Sequence, residues 1–401
     1  MSYDVAALRV HFPALADGTA YFDAPGGTQV PDVVAAAVAR TLTRGISNRG
    51  RVTAAERAAD AVVQEFRQAM ADLLGSEPNA VVFGRSATAL TYDLSRALAR
   101  TWTPGDEVVV TRLDHDANIR PWLQAADRTG VTVRWVDFDP ATGELATEAV
   151  AAALSDHTRL VALTGASNLI GTRPDVRAVA DLAHRVDALL HVDGVHLTAH
   201  APVDVADLGC DTYVCSPYKV LGPHCGVLVG RRSLLEDLRP DKLLPSSDAV
   251  PERFELGTLP YELMAGVTAA VDLVAQLVPI SADCRRARVL AAMTAVEEHE
   301  DQLRQRVEDA LRDLPGVTVH SRARHRTPTL LLTFAGRDPA DAYRALAEVR
   351  VNAPAGSFYA IEASRHLGLG DSGGLRVGLA PYSDDDDVDR LLAGLRGFCH
   401  A

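Results

Sequence analysis

Short apolar runs recur along the chain: AVVFG at 80–84, DEVVVTRL at 106–113, VTVRWVDF at 131–138, TRLVALTGAS at 158–167, ALLHVD at 188–193, DTYVCS at 211–216 and GVLVG at 226–230. Their valines and leucines do not alternate with polar residues, so both faces of each run are covered, as in a sheet buried between helix layers. Between most of them lie alanine-rich stretches with helical patterning, such as LTYDLSRALART and RAVADLAHRVDA. This strand, helix, strand repetition predicts an open α/β domain built on a mostly parallel seven-stranded sheet.

The pattern divides the chain into an N-terminal segment (1–14), a large domain (15–280) and a smaller C-terminal α/β domain (281–401). In the smaller domain VTVH, TLLLTFAG and LRVGLAPY read as strands between helices. The most apolar long window, LMAGVTAAVDLVAQLVPI at 263–280, contains Asp272 and reads as a buried helix joining the two domains, not a membrane span. The acidic run SDDDDVDRL reads as a helix start, where carboxylates favour the positive end of the dipole, not as a metal site. No internal repeat or low-complexity linker interrupts the pattern.

With 401 residues, 47% hydrophobic and 23% charged, the chain can bury a sizeable core. A net charge of -13 gives no basic footprint for nucleic acid or an anionic membrane, which leaves small-molecule chemistry. The start, MSYDVAALRVHFPAL, lacks a basic region followed by an apolar one, so a cytoplasmic location is expected. The five cysteines form no C-x-x-C pair and no zinc spacing, and read as reduced and mostly core.

Only two of the 40 basic residues are lysines, Lys219 and Lys242. An arginine-rich composition explains the scarcity but not which lysines remain. Guanidinium is neither deprotonated nor nucleophilic near neutrality, so arginine cannot replace a lysine that must form an imine with an aldehyde. Lys242 lies in RPDKLLPSSD, a proline-bounded loop where a solvated ammonium is expected. Lys219 lies in CSPYKVLGP, just after an apolar run.

In open α/β sheets ligands sit beyond the carboxyl ends of the strands. The residues just after the runs are Ser86, Ala87 and Thr88; His115; Ser167 and Asn168; Asp193 and His196; and Ser216 and Lys219. A lysine for an imine and an aspartate to keep a pyridine nitrogen protonated are what pyridoxal phosphate requires. GRSATAL offers a helix N-terminus for its phosphate, and His115 could cover the ring face. Each element alone is common; five of them at strand ends in this order are not.

The chain resembles the class V aminotransferases, fold type I pyridoxal phosphate-dependent transferases, and within them the cysteine desulfurase-like branch. The stretches that carry the resemblance are YFDAPGGTQVP, VVFGRSATAL, DHDANIRPW, SNLIGT, HVDGVH, CSPYKVLGP, RFELGT and LRVGLAPY. It implies that Lys219 holds the cofactor as an imine, Asp193 pairs with the pyridinium, His115 stacks on the ring and Asn168 approaches the phenolic oxygen side. Ala87, Thr88 and Ser216 would take the phosphate, with Thr258 reaching it across a homodimer interface that shares the active sites. Arg376 would grip the substrate carboxylate, a task suited to its bidentate fork.

The sequence departs from that family's pattern in three places. Tyr218 replaces the histidine before the lysine and can still donate to phosphate. His196 replaces a glutamine and could bond the cofactor oxygen or transfer a proton. The small-domain segment NAPAGSFYAIEASRHLGLG, where a desulfurase carries its thiolate, contains no cysteine, and Cys399, Cys215 and Cys225 are poor substitutes. Phe358, Tyr359 and His196 are then the candidates for steering the reaction. The expectation is a carbon–sulfur lyase acting by β-elimination on cysteine, cystine or a cysteine S-conjugate. An aminotransferase or epimerase is the alternative, and a desulfurase using an unexpected cysteine a further one.

Overall fold

Alternate positions along the strands serve two cores, which is why neither face of the sheet shows a polar stripe. In the computed structural model, which describes residues 3–400, the seven runs form one sheet. Its strands are β1 (Val81–Gly84), β2 (Glu107–Thr111), β3 (Thr132–Val136), β4 (Thr158–Thr164), β5 (Leu189–Asp193), β6 (Thr212–Cys215) and β7 (Gly226–Gly230). The spatial order is β1-β7-β6-β5-β4-β2-β3, and only β7 runs against the others. The sequence-based spans overshoot the strands by a residue or more at most ends, taking in flanking residues such as Asp106, Asp137, Asp211 and Ser216. Residues 1–2 and 401, at the outer ends of the two terminal segments, lie outside the described residues.

Val81, Phe83, Val109 and Val161 join one core; Val82, Val108, Val110 and Leu160 join the other. The first core is closed by α1 (Ala54–Leu74) and α4 (Tyr261–Val274), the second by α2 (Ala87–Leu98) and α3 (Arg120–Thr129). Helix α1 opens with a reciprocal capping box between Thr53 and Glu56 and ends at Gly75, whose φ of +69° suits a residue without Cβ. Helix α4 stops at Val274 and not at 280. Beyond it the run LVPI contains Pro279, which pushes Val278 out of helical geometry, so no helix could continue through the window to 280.

The second unit is an antiparallel sheet of β8 (Val317–Val319), β9 (Thr329–Phe334), β10 (Ala355–Gly356) and β11 (Gly374–Gly378), in the order β10-β11-β9-β8. Leu303, Val307 and Leu311 of α5 (Arg285–Arg312) and Val388, Leu391 and Leu395 of α6 (Asp385–His400) pack on it. Ala20–Tyr21 pairs in parallel with Val351–Asn352, and Ala20 and Phe22 lie in this second core, so the chain near its start crosses from one unit to the other. The acidic run does open a helix: Asp384 accepts from the Asp387 amide at 2.9 Å, and Arg9 and Arg306 pair with its carboxylates. Among the described residues no helix is long and apolar enough to cross a membrane.

One glycine fixes where α2 begins. Gly226 opens β7 opposite Gly84, and a Cβ there would stand 2.2 Å from the Ser86 carbonyl carbon and 2.5 Å from the Ala87 nitrogen. The first turn of α2 therefore rests directly on the β7 backbone. Gly226→Ala should cost about 1–3 kcal/mol by overpacking, read as a lower urea midpoint. Gly45→Ala, at a site with nothing within 4 Å of the added carbon, should leave the midpoint unchanged.

Candidate active site

The strand ends bring their polar residues to two adjoining cavities of about 620 and 90 Å³ that share Thr88, His115, Asn168, Tyr218 and Lys219. The smaller, deeper one adds Ala87, Asp193, His196 and Ser216; the outer one adds Arg376, Phe358 and Tyr359. Of the residues singled out in the sequence, Thr258 is elsewhere, on an exposed loop, and Ser167 is buried outside both cavities, its hydroxyl accepting from the Leu169 and Ile170 amides. Lys242 is also remote from the cavities and pairs with the exposed Asp248.

At the end of β1, the Ser86 hydroxyl accepts from the Ala89 amide at 3.1 Å and caps α2. The amides of Ala87 and Thr88 stand in the first turn, where no intrahelical acceptor exists, and both residues line the deep cavity. With the hydroxyls of Thr88 and Ser216 they could hold a phosphate.

Lys219 sits on a short turn, Pro217–Lys219, directly after β6, and is 7% exposed. Burial, with the Arg376 charge adding to it, lowers its amine to about 7. Its Nζ donates to the Pro25 carbonyl. That carbonyl is held in place because Gly378 lies against the Pro25 ring, where a Cβ would come within 2.2 Å. Asp193 ends β5; burial raises it to about 6, while the Val195 amide at 3.0 Å and Lys219 favour its anion. The Nδ1 of His115 accepts from the Ala117 amide at 3.0 Å, and burial lowers this ring to about 4, so it is neutral and carries its proton on Nε2.

Arg376 on β11 is buried, and burial lowers its guanidinium to about 9. Its Nη1 donates to the Asn168 carbonyl at 3.0 Å, its Nε has no partner, and the Phe358 ring covers it at 3.6 Å. Phe358 and Tyr359 have φ of +51° and +60°, a region that side chains with a Cβ rarely adopt. The bend is tied down on both sides: Asn168 Nδ2 donates to the Phe358 carbonyl at 2.9 Å, and the Asp116 amide to the Tyr359 carbonyl at 2.7 Å. Tyr359, 76% exposed, lies 5.6 Å from His115, ring centre to ring centre, and forms the outer roof.

The cysteines stay out of both cavities among the described residues. Cys215 and Cys225 are buried, and burial pushes their thiols up, that of Cys225 to about 12. A larger cavity, about 820 Å³, lies at the opposite strand ends against Cys210, Asp211 and Arg231. It holds neither lysine nor any strand-end group singled out above, so its size carries no chemistry.

Sequence reasoning did not find Thr327 and Thr329, which bond His196, nor the buried pair of His200 and Glu300 beneath it. His200 had a signal, four residues after His196 and so on the same side of a helical turn. The threonines had none, since they come from the other unit.

The donor set fits a phosphorylated pyridine aldehyde: an amine lowered toward neutrality, a buried carboxylate, a capped helix start, and unpartnered buried atoms at Asn168 Oδ1 and His196 Nδ1. The family model for aminotransferase class V matches residues 20–391. An uncharacterized protein of Mycobacterium tuberculosis is 35% identical, over 98% of this chain and 99% of its own. A cysteine desulfurase of Klebsiella pneumoniae is 30% identical, over 99% and 98%. The crystal structure of the Escherichia coli cysteine desulfurase CsdA, in S-sulfonic acid form, superposes with a TM-score of 0.87 at 27% identity, over 98% of each chain. The lowered Lys219 amine yields a prediction for the cofactor-free protein. Its rate of cofactor uptake, followed by visible absorbance, should rise with pH to about 7 and then level, whereas an ordinary lysine would keep the rate climbing past 10.

Proposed function

Because the chain belongs to the aminotransferase class V family and takes pyridoxal phosphate as its cofactor, we propose that it is a carbon–sulfur lyase acting on cysteine, cystine or a cysteine S-conjugate. When bound, the cofactor supplies a protonated ring that withdraws electrons from the substrate α carbon. Lys219 holds it and, once the substrate amine has taken its place, accepts the α proton at Nζ, which an amine lowered to about 7 can do near neutrality. Asp193 keeps the proton on the ring nitrogen. His115 covers the ring, and Asn168 and His196 face its oxygen side. Ala87, Thr88, Ser216 and Tyr218 hold the phosphate. The free edge of Arg376 takes the substrate carboxylate.

The observation that carries the lyase reading is the roof. Phe358 and Tyr359 stand over the cavity in a bend pinned to Asn168 and Asp116, where sulfur transfer would need a thiolate free to reach the substrate. Elimination needs only the groups already there. The α proton goes to Lys219, the carbon–sulfur bond breaks with its electron pair leaving on sulfur, and water releases pyruvate and ammonia.

We propose further that the enzyme is a homodimer in which Thr258 reaches the partner's phosphate site. Thr258 is exposed, and Leu243, Leu244 and Leu256 near it in sequence are exposed as well, a group of apolar side chains that a second copy would cover.

Product analysis of the purified protein with cysteine, cystine and an S-alkylcysteine, without thiol acceptor, tests the reading. Pyruvate and ammonia in equal amounts are expected. Alanine with sulfide would mark a desulfurase, and D-cysteine or a keto acid without ammonia would mark an epimerase or aminotransferase; either would overturn it.

A further inference from the structure

His196 lines the deep cavity from the large unit, yet its hydrogen bonds come from the second one. Its Nε2 lies 2.9 Å from the hydroxyls of both Thr327 and Thr329, which flank Pro328 at the start of β9. Its Nδ1 is buried and has no protein partner. Three protons and their acceptors must be accounted for. The Thr327 hydroxyl also reaches the Gly171 carbonyl, at 3.4 Å. The fully buried Thr329 hydroxyl has no acceptor among the described residues except Nε2.

If Nε2 carried the ring proton it would donate to the threonine oxygens, and the Thr329 proton would be left buried without an acceptor. If Nε2 is bare it accepts from Thr329, and every hydroxyl proton is satisfied. The ring proton then sits on Nδ1 and can find an acceptor in the cavity that His196 lines, whereas the enclosed Thr329 proton could find none; since a buried unmade donor is costly, the second arrangement prevails. We propose that Thr329, with Thr327 beside it, is a positioning residue that fixes His196 as the Nδ1–H tautomer, so that the second unit of the fold makes this histidine a donor toward the cofactor cavity.

His196 must be neutral for its tautomer to matter. Burial holds it well below the usual histidine value, and the neighbouring His200, Lys219 and Arg376 act in the same direction. The His200 ring meets it edge to face at 4.7 Å, and His200 Nδ1 is engaged by Glu300 Oε2 at 2.8 Å. His200 is therefore anchored away from His196 Nε2. This tautomer leaves the Nδ1 proton to be accepted within the cavity that His196 lines, by water or by a ligand atom alike. Its consequence, a donor toward an electron-rich ring oxygen, rests on the reading of the cavity as the pyridoxal phosphate site.

Nitrogen-15 NMR of histidine-labelled holoenzyme, repeated after cofactor removal, tests both parts, with His196→Gln used to assign the resonance. We expect Nδ1 protonated and Nε2 bare in both forms. Thr329→Val should move the proton to Nε2 in whole or part, and Thr329→Ser should return it. Bound-cofactor absorbance in Thr329→Val should titrate at higher pH than in the parent, with Thr329→Ser again restoring it. A protonated Nε2 in the parent protein, or a Thr329→Val spectrum identical to it, would overturn the proposal; should Thr329→Val not fold, the parent spectrum still decides the tautomer. The expected tautomers with no change in cofactor absorbance would instead overturn the link between His196 and the cofactor.

Discussion

The site depends on keeping one amine out of water. An ammonium on a flexible stem is ordinarily solvated, and burying it favours the neutral form. The fold enforces this at Lys219 by placing it on a turn at the end of β6, with the buried Arg376 across the cavity opposing its charge and Asp193 only partly offsetting that. The same burial lowers His115, so the lysine and this histidine are held toward their neutral forms, while the Val195 amide and Lys219 favour the Asp193 anion against a burial that raises it to about 6.

That environment is assembled by both units of the fold. The large sheet supplies Lys219, Asp193, His115 and the helix start. The second unit supplies Arg376 on β11, the threonines that bond His196, and the bend at Phe358 and Tyr359. The segment Asp23–Gly27 lies between them. Phe22 takes a hydrogen bond from Gly378 and Pro25 takes one from Lys219, so the chain near its start links the lysine to the sheet that carries the arginine.

The strands of the large sheet were legible because their residues are buried on both faces, which writes burial into composition without need of register. Asp193, His115 and Lys219 were legible for a related reason: a polar residue directly after such a run is at a strand end whatever the details of the loop. The second unit was harder to read. Ala20 and Phe22 join its core from more than three hundred residues away, and Thr327 and Thr329 reach His196 from the other unit, so no local pattern announces either. The bend at Phe358 and Tyr359 was visible as a pair of aromatics but not as a pinned roof, since positive φ at two bulky residues is set by tertiary contacts and not by propensity.

Borohydride reduction of the holoenzyme followed by peptide mass analysis tests the central claim most directly, because reduction makes the lysine-bound cofactor permanent. The account predicts that the added phosphopyridoxyl mass is found on the peptide containing Lys219 and not on the one containing Lys242. The mass on Lys242, or an unmodified Lys219 in a protein that still shows bound-cofactor absorbance, would contradict it.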